Sequence, residues 1–297
     1  MEKNQIIILE DRALISIEGP DASDFLQNII TNNIKKVNEK NSIFSGIFTA
    51  QGKYLYEFFI LKSNEGYFLD CDNIFKEGLV KYLFKYKLRS KVEIKDLSSL
   101  YVIGITSKEK FKEIQNDTGF EGETLLYRDS HFFLDPRTVR LGARILSSLE
   151  KLHLTIKKLS LKIIDESSYF KILHSEGVPT QRVKNLQDNL FGLEANFEEL
   201  NAIDFKKGCY IGQENTARMK LKNKLRRKLF PIFSKNTLKF SDEIKFKEKV
   251  IGKILIDGAY PFALIKLFDP DFSEFYKESL KVNKTDVKIL VPAHFNI

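Results

Sequence analysis

Lys206-Lys207-Gly208-Cys209-Tyr210-Ile211-Gly212-Gln213-Glu214 is the stretch of this 297-residue chain whose residue types could do chemistry. Two glycines bracket a cysteine just before an expected helix. Such a segment lets the backbone approach a neighbour closely and sets the thiol near free amide N–H groups. Those amides, with Lys206, Lys207 and Arg218 nearby in sequence, favour a thiolate, so Cys209 is the candidate reactive or metal-touching group. A lone cysteine without context reads instead as a small hydrophobe in a tight loop. The second cysteine, Cys71, lies in Leu69-Asp70-Cys71-Asp72 at the end of an expected strand, where two acids oppose ionisation. It reads as structural. Two cysteines this far apart exclude a disulfide framework and a four-cysteine zinc site.

Other motifs are absent. The four histidines, His131, His153, His174 and His294, have no H-x-x-x-H spacing and none neighbours a cysteine, so a zinc centre has little support. There is no G-x-S-x-G, P-loop or G-x-G-x-x-G, which removes the usual hydrolase, NTPase and dinucleotide readings.

The elements that must position Cys209 can be read from periodicity. Residues Ile6 to Leu9 and Leu14 to Ile17 read as strands joined by the Glu10-Asp11-Arg12 turn. Gly19-Pro20-Asp21 opens a helix with Pro at its first position and Phe25, Leu26, Ile29 and Ile30 on one face. Ser42 to Thr49 and Tyr54 to Leu61 form a hairpin around Ala50-Gln51-Gly52-Lys53, followed by a strand at Gly66 to Asp70, a helix from Ile74 to Leu88 and a strand at Lys91 to Ile94. This is a split β-α-β-β order. From Tyr101 a similar order returns: a strand to Ile105, a helix over Lys108 to Asn116, then strands at Leu125, Phe132 and Leu141 to Leu146, a weak structural duplication. Leu159 to Glu176 reads as helical, Lys184 to Leu200 as irregular, and Gly212 to Lys220 as a short helix. After a linker at Lys222 to Arg227, strands at Leu229 to Phe233, Val250 to Ile256, Ala263 to Phe268 and Val287 to Val291 suggest a small barrel.

Composition sets the frame around these elements. Hydrophobic residues make up 43% and charged residues 30%, with 15 Gly and 7 Pro, which excludes collagen-like, low-complexity and wholly disordered chains. No apolar run approaches the ~18 residues of a membrane span. The Ile6 to Leu9 patch is too short for a secretory signal, so the expectation is a soluble cytoplasmic protein with no membrane partner. The net charge of +8 is ambiguous. Only 10 of the 48 basic residues are Arg, and a chain rich in Lys, Asn, Ile and Phe looks like the product of an AT-biased genome.

Lys207 to Glu214, K-G-C-Y-I-G-Q-E, followed by Ala217-Arg218, resembles the signature of the YgfZ-like folate-binding proteins, a family that includes the mitochondrial iron-sulfur cluster assembly factor. Gly19-Pro20-Asp21 with Phe25-Leu26-Gln27 and Thr31-Asn32 resembles the family's N-terminal helix motif. Gln51-Gly52-Lys53 resembles its hairpin, and Leu193-Glu194-Ala195-Asn196 its E-x-N segment. Asp135-Pro136-Arg137 and Leu141-Gly142 also match, so the resemblance covers nearly the whole chain.

The resemblance implies the α+β fold of the glycine-cleavage T protein: three modules in a cloverleaf with ferredoxin-like split β-α-β units and a C-terminal β-barrel. Applied here, the modules are residues 1–100, residues 101–225 carrying the signature, and residues 226–297 forming the barrel. It also implies a tetrahydrofolate pocket, with Glu194 as acceptor for the pterin donors and Asn196, Phe48, Tyr56 and Arg218 as further liners. Within the signature, Lys207, Gly208, Tyr210, Gly212, Gln213 and Glu214 surround Cys209 as the reactive thiol.

One departure bears on activity. Aminomethyltransferases of the wider superfamily carry two Asp after a Gly-Gly hairpin, and here Tyr56 takes the first Asp position. A phenol with a pKa of ~10 supplies no negative charge at pH 7, so aminomethyl transfer is expected to be absent.

The implied function is a folate-binding accessory protein for iron-sulfur cluster assembly or repair, with clients that include enzymes of tRNA modification. Two cysteines cannot hold a stable cluster alone, so any cluster contact is transient or shared. The alternatives are a folate-dependent one-carbon transferase and a tRNA-binding module. The latter rests on nine basic residues against one acid between Lys206 and Lys228: Lys206, Lys207, Arg218, Lys220, Lys222, Lys224, Arg226, Arg227 and Lys228. They suit an anionic partner such as polyglutamylated folate, RNA or an acidic protein surface, or else a solvated linker. Nucleic-acid stacking motifs are absent nearby, so direct RNA binding is not favoured.

Overall fold

The structure, a computed structural model, describes residues 1–115, 119–180, 182–222 and 225–295. Asn116, the expected end of a helix, and Lys224, in the expected linker and basic stretch, lie outside the described residues. The chain forms two compact units. The first comprises Met1–Phe48, Tyr56–Tyr169 and Leu200–Ile211, and the second Thr49–Leu55, Phe170–Glu199 and Gly212–Ile297.

In the first unit the order is β1 (Gln5–Leu9), β2 (Arg12–Glu18), α1 (Ala22–Ile29), β3 (Ile43–Phe48), β4 (Tyr54–Lys62, whose first two residues belong to the second unit), β5 (Gly66–Asp72), α2 (Lys76–Lys87) and β6 (Glu93–Asp96). It continues with β7 (Val102–Thr106), α3 (Lys108–Ile114), β8 (Thr124–Tyr127), β9 (Ser130–Leu134), β10 (Ala143–Ser147), α4 (Leu149–Lys158) and β11 (Lys162–Ile163). One sheet runs β3-β4-β5-β2-β6 and the other β8-β9-β10-β7-β1-β11. The two orders are the same, each strand-helix-three-strand-helix-strand, except that β1 is inserted between β7 and β11. This is the duplication expected from the sequence.

β1 and β2 are consecutive strands joined by a short turn, as expected, but they do not pair with each other: β1 pairs with β7 and β11, while β2 pairs with β5 and β6. The central residues of β2 are buried on both faces, as suits an internal strand. Asp21, not Pro20, takes the position before the first turn of α1, and Ala22, Phe25, Leu26 and Ile29 form its buried stripe. The helix expected over Leu159 to Glu176 is also corrected. Ser160 turns the chain with φ of +52°, Lys162 and Ile163 add a parallel edge strand to β1, and helix resumes only at Ser167.

The second unit contains most of α5 (Ser167–Ser175), then α6 (Gln213–Leu221) and β12 (Arg227–Ser234). β13 (Glu243–Phe246), β14 (Lys249–Ile256), β15 (Phe262–Lys266), β16 (Leu280–Val282) and β17 (Thr285–Ile289) follow. β12 to β17 close into a barrel of order β12-β15-β14-β13-β16-β17. Its interior is filled by Phe230, Ile232, Ile244, Ile251, Ile254, Ile265 and Val287 among others, so it is a packed core. The expected linker ends earlier than its composition suggests, because Arg227 already pairs with Lys266 as the first residue of β12. Among the described residues no helix is long and apolar enough to cross a membrane.

Candidate functional site

In the second unit, the hairpin tip at Gln51-Gly52-Lys53 holds together the two segments singled out by sequence. The Gly52 N–H donates to Thr49 O and the Thr49 N–H to Lys53 O, each at 2.8 Å. Gly52 has φ of +82°, and a Cβ there would lie 3.0 Å from the Gly212 carbonyl and 3.3 Å from Thr216 Oγ1 on α6. Glycine is required at this position by both conformation and contact. On its other side the hairpin binds the loop that carries Glu194: the Tyr54 N–H donates to Leu190 O at 2.8 Å and the Gly192 N–H to Gly52 O at 3.3 Å. Asn215 Nδ2 on α6 donates to Gln51 O at 2.9 Å. Gly212, Gln213 and Glu214 thus start a helix fixed against the same hairpin.

Glu194 is 3% exposed. Its Oε2 accepts the Phe191 N–H at 3.1 Å and its Oε1 accepts Arg227 Nε at 3.0 Å, while its carbonyl receives the Leu229 N–H at 2.9 Å. It faces a cleft of about 1010 Å³ whose walls include Phe191, Arg218, Met219, Arg226, Lys266 and Phe268. Arg227 Nη2 also lies 3.0 Å from Oε1, and since a carboxylate oxygen has about two acceptor positions, Oε2 is the one that keeps room for a further donor. Arg218, at the rim, pairs with Glu214 at 2.6 Å on the exposed face of α6. Asn196 lies beneath the cleft and not on its wall: fully buried, with φ of +64°, it donates through Nδ2 to Leu229 O at 2.9 Å and ties the loop to β12.

The first unit holds the other half of the signature. Lys207 Nζ donates to the carbonyls of Gln27, Ile30 and Asn32 at 2.7, 2.6 and 3.0 Å, capping the C-terminal end of α1, where carbonyls have no intrahelical partner. It also lies 4.9 Å over the Tyr210 ring. Burial pulls this ammonium down to about 8, against the opposing charge of Asp204. Lys207→Met leaves three carbonyls without a donor and should cost about 1 to 3 kcal/mol. Hydrogen exchange of the α1 amides measures this, and a loss below ~0.5 kcal/mol would show that water replaces the ammonium without penalty.

Cys209 is exposed. Beside it Gly208 has no positive φ, and a Cβ there would meet nothing within 4 Å, so internal packing does not require this glycine. Phe48 is fully buried at the end of β3. Tyr56 packs edge-on against Phe75 and Tyr82, and burial raises its phenol above the ordinary tyrosine range. The structure therefore gathers Glu194 and Arg218 on one cleft and sets Cys209, Lys207 and Tyr210 around the end of α1.

The basic stretch is not one solvated face. Lys207 is buried under α1, Lys220 pairs with Glu198, Arg227 with Glu194, and Lys228, 1% exposed, with Glu199. Sequence reasoning missed Lys266, which reaches the cleft from β15 and is visible only through the β12–β15 register. It also missed a buried charge network in the first unit. Asp70 there accepts from Arg12 Nε at 2.7 Å and from Arg144 at 2.9 Å, and Asp135 holds Arg137 through a two-bond fork at 2.9 and 2.7 Å. Among the described residues no group of three or more His, Cys, Asp or Glu could hold a metal ion.

No protein-family model matches the chain. Curated proteins do. The chain is 30% identical over 259 residues to the mitochondrial iron-sulfur cluster assembly factor IBA57 homolog of Dictyostelium discoideum, covering 77% of this chain and 62% of that protein. It is 30% identical over 261 residues to the Pyricularia oryzae homolog, covering 85% and 63%, and 30% identical over 241 residues to the mouse IBA57 protein (Mus musculus), covering 75% and 64%. The chain thus spans somewhat less than two thirds of these relatives. Among solved structures, the glycine cleavage system aminomethyltransferase T from Bartonella henselae superposes with a TM-score of 0.75 at 11% identity, covering 98% of this chain and 86% of that one. The fold is therefore that of the T protein, as expected, with its C-terminal closed barrel. The cytoplasmic expectation is overturned, because these curated relatives are mitochondrial. Composition could not have separated the two compartments, since both impose the same rules of burial and charge on a folded chain.

Proposed function

This chain is a homologue of the proteins named iron-sulfur cluster assembly factor IBA57, carried on the glycine-cleavage T-protein fold, and from that premise we propose that it is a folate-binding accessory factor for iron-sulfur cluster assembly or repair. The observation that carries the reading is Glu194, a buried carboxylate whose Oε2 has a spare acceptor position at a cleft of ligand size. The donor set fits tetrahydrofolate. Glu194 meets the amino and ring N–H groups of a pterin, Phe191, Met219 and Phe268 supply apolar wall, and Arg218 and Arg226 suit carboxylates. Cys209 is the thiol that touches a cluster or partner, and the space beside Gly208 leaves room for that approach. With Cys71 fully buried, the cluster contact is transient and shared with a second protein. Assembly proteins or client enzymes, including those of tRNA modification, are the partners. The three-module division at residues 1–100, 101–225 and 226–297 belongs to the same proposal.

Calorimetry and client activity test the two halves separately. Glu194→Gln should weaken tetrahydrofolate binding by about 1 to 3 kcal/mol, roughly 5- to 150-fold, because an amide turns an N–H toward the pterin donors. Equal affinities would remove Glu194 from the site. In cells whose own copy is replaced by Cys209→Ala, iron-sulfur enzyme activities should fall, and undiminished activities would remove the thiol from the function.

A further inference from the structure

Arg227 on β12 and Lys266 on β15 are direct cross-strand partners, two cations side by side on one face of the barrel. Like charges in this position repel. Glu194 compensates Arg227, whereas Lys266 Nζ donates to a backbone carbonyl, Val250 O, at 2.9 Å. The pair forms a ridge between two clefts. On one side lies the cleft of Glu194, and on the other a smaller one of about 420 Å³ that both cations also line, together with Lys253, Asn185, Asn189 and Glu243. Lys253 stands opposite Glu243 in the β13–β14 register. The smaller cleft therefore holds three cations against one acid.

We infer that the Arg227–Lys266 ridge and the smaller cleft bind a chain of carboxylates continuous with the ligand of the Glu194 cleft, so that the preferred ligand is a folate extended by γ-linked glutamates. This deepens the folate reading and rests on it. A chain passing over the ridge brings negative charge to the repelling pair, and its next carboxylate meets Lys253, which lines only the smaller cleft. Of these three cations only Arg227 belongs to the basic stretch between Lys206 and Lys228, and the barrel register brings Lys266 and Lys253 to it from β15 and β14.

Calorimetry at 150 mM salt with tetrahydrofolate monoglutamate, tetrahydrofolate triglutamate and tri-γ-glutamate alone provides the test. The triglutamate should bind at least about tenfold more tightly than the monoglutamate. In Lys253→Gln, an exposed substitution that spares the barrel core, the ratio of the two affinities should fall to about 2 or less. Equal affinity of the two folates for the wild-type chain, or a ratio unchanged by Lys253→Gln, overturns the inference and leaves the folate reading intact. Binding of tri-γ-glutamate that depends on Lys253, with no binding of the monoglutamate, keeps the carboxylate site and overturns the folate reading. Binding of none of the three probes overturns both.

Discussion

Asp70→Asn should destabilise the first unit by about 3 to 5 kcal/mol, the cost of removing one partner from a buried ion pair and leaving its cations uncompensated. Asp70 has no exposed surface and is shared by Arg12 and Arg144, and Arg144 itself is 2% exposed. Their guanidiniums lie 5.8 and 4.1 Å from the centre of the Phe59 ring, with Arg137 at 4.8 Å, so the aromatic face provides the remaining stabilisation. An amide of the same shape keeps the packing and removes the charge. Burial pushes the Asp70 carboxyl up, but Arg12 and Arg144 together outweigh it and hold it below the ordinary carboxylate range. A depressed carboxyl contributes stability above its unfolded value, and that stability disappears as pH falls through the folded one. The wild-type advantage over Asp70→Asn should therefore be constant from pH 5 to 8 and shrink only below about pH 4. Hydrogen exchange of the β2 and β5 amides reads the first unit independently of the barrel. A difference under ~1 kcal/mol at pH 7 would mean that water reaches the two arginines.

That network shows why some of the molecule could not be read in advance. Asp135-Pro136-Arg137 attracts attention as a motif, yet the network it joins through Arg144 runs on to Asp70 and Arg12 on other strands, and each of these alone reads as a surface charge. The signature around Cys209 was legible because a glycine, a cysteine and a helix start are local features. The cleft was legible in part. Glu194 and Arg218 sit in local motifs, whereas Lys266 reaches Arg227 only through strand pairing.

The same distinction holds for the fold. β12 and β15 carry continuous apolar runs and β14 and β17 partial alternation, but β13 buries only Ile244 and β16 has three residues, too little pattern to detect. α4 buries only Leu152 and Thr155, and its clear signal is the Ser148 side chain accepting the Lys151 N–H at its start. It holds in the second sheet order the place of α2 in the first, so the duplication, pressed further, would have located it before the structure did.

At pH 7.5 a limiting alkylating reagent should modify Cys209 at least ~1000-fold faster than Cys71. Both are free thiols, and the difference comes from their surroundings. Cys71 has no exposed surface within β5, and its thiol is pushed up to about 12, first by burial and then by Asp70, Asp72 and Asp96, against the opposing pull of Arg12. Reagent reaches it only after the sheet opens. The sign of its pH dependence follows. Because the folded thiol holds its proton where the unfolded one, near 8.5, has released it, the group opposes folding increasingly from about pH 8.5 upward. Labelling of Cys71 should therefore rise in alkali through unfolding, whereas Asp70→Asn should raise it already at neutral pH. Cys209 needs no opening, since it lies exposed beside the unfilled space at Gly208. Mass spectrometry of the two cysteine peptides separates the rates. If Cys71 reacts first, or Cys209 resists the reagent in the folded chain, the Lys207 to Tyr210 segment acts as a cap on α1 alone. Any iron-sulfur role would then fall to the protein surface around it, and Cys209→Ala would leave client activities unchanged.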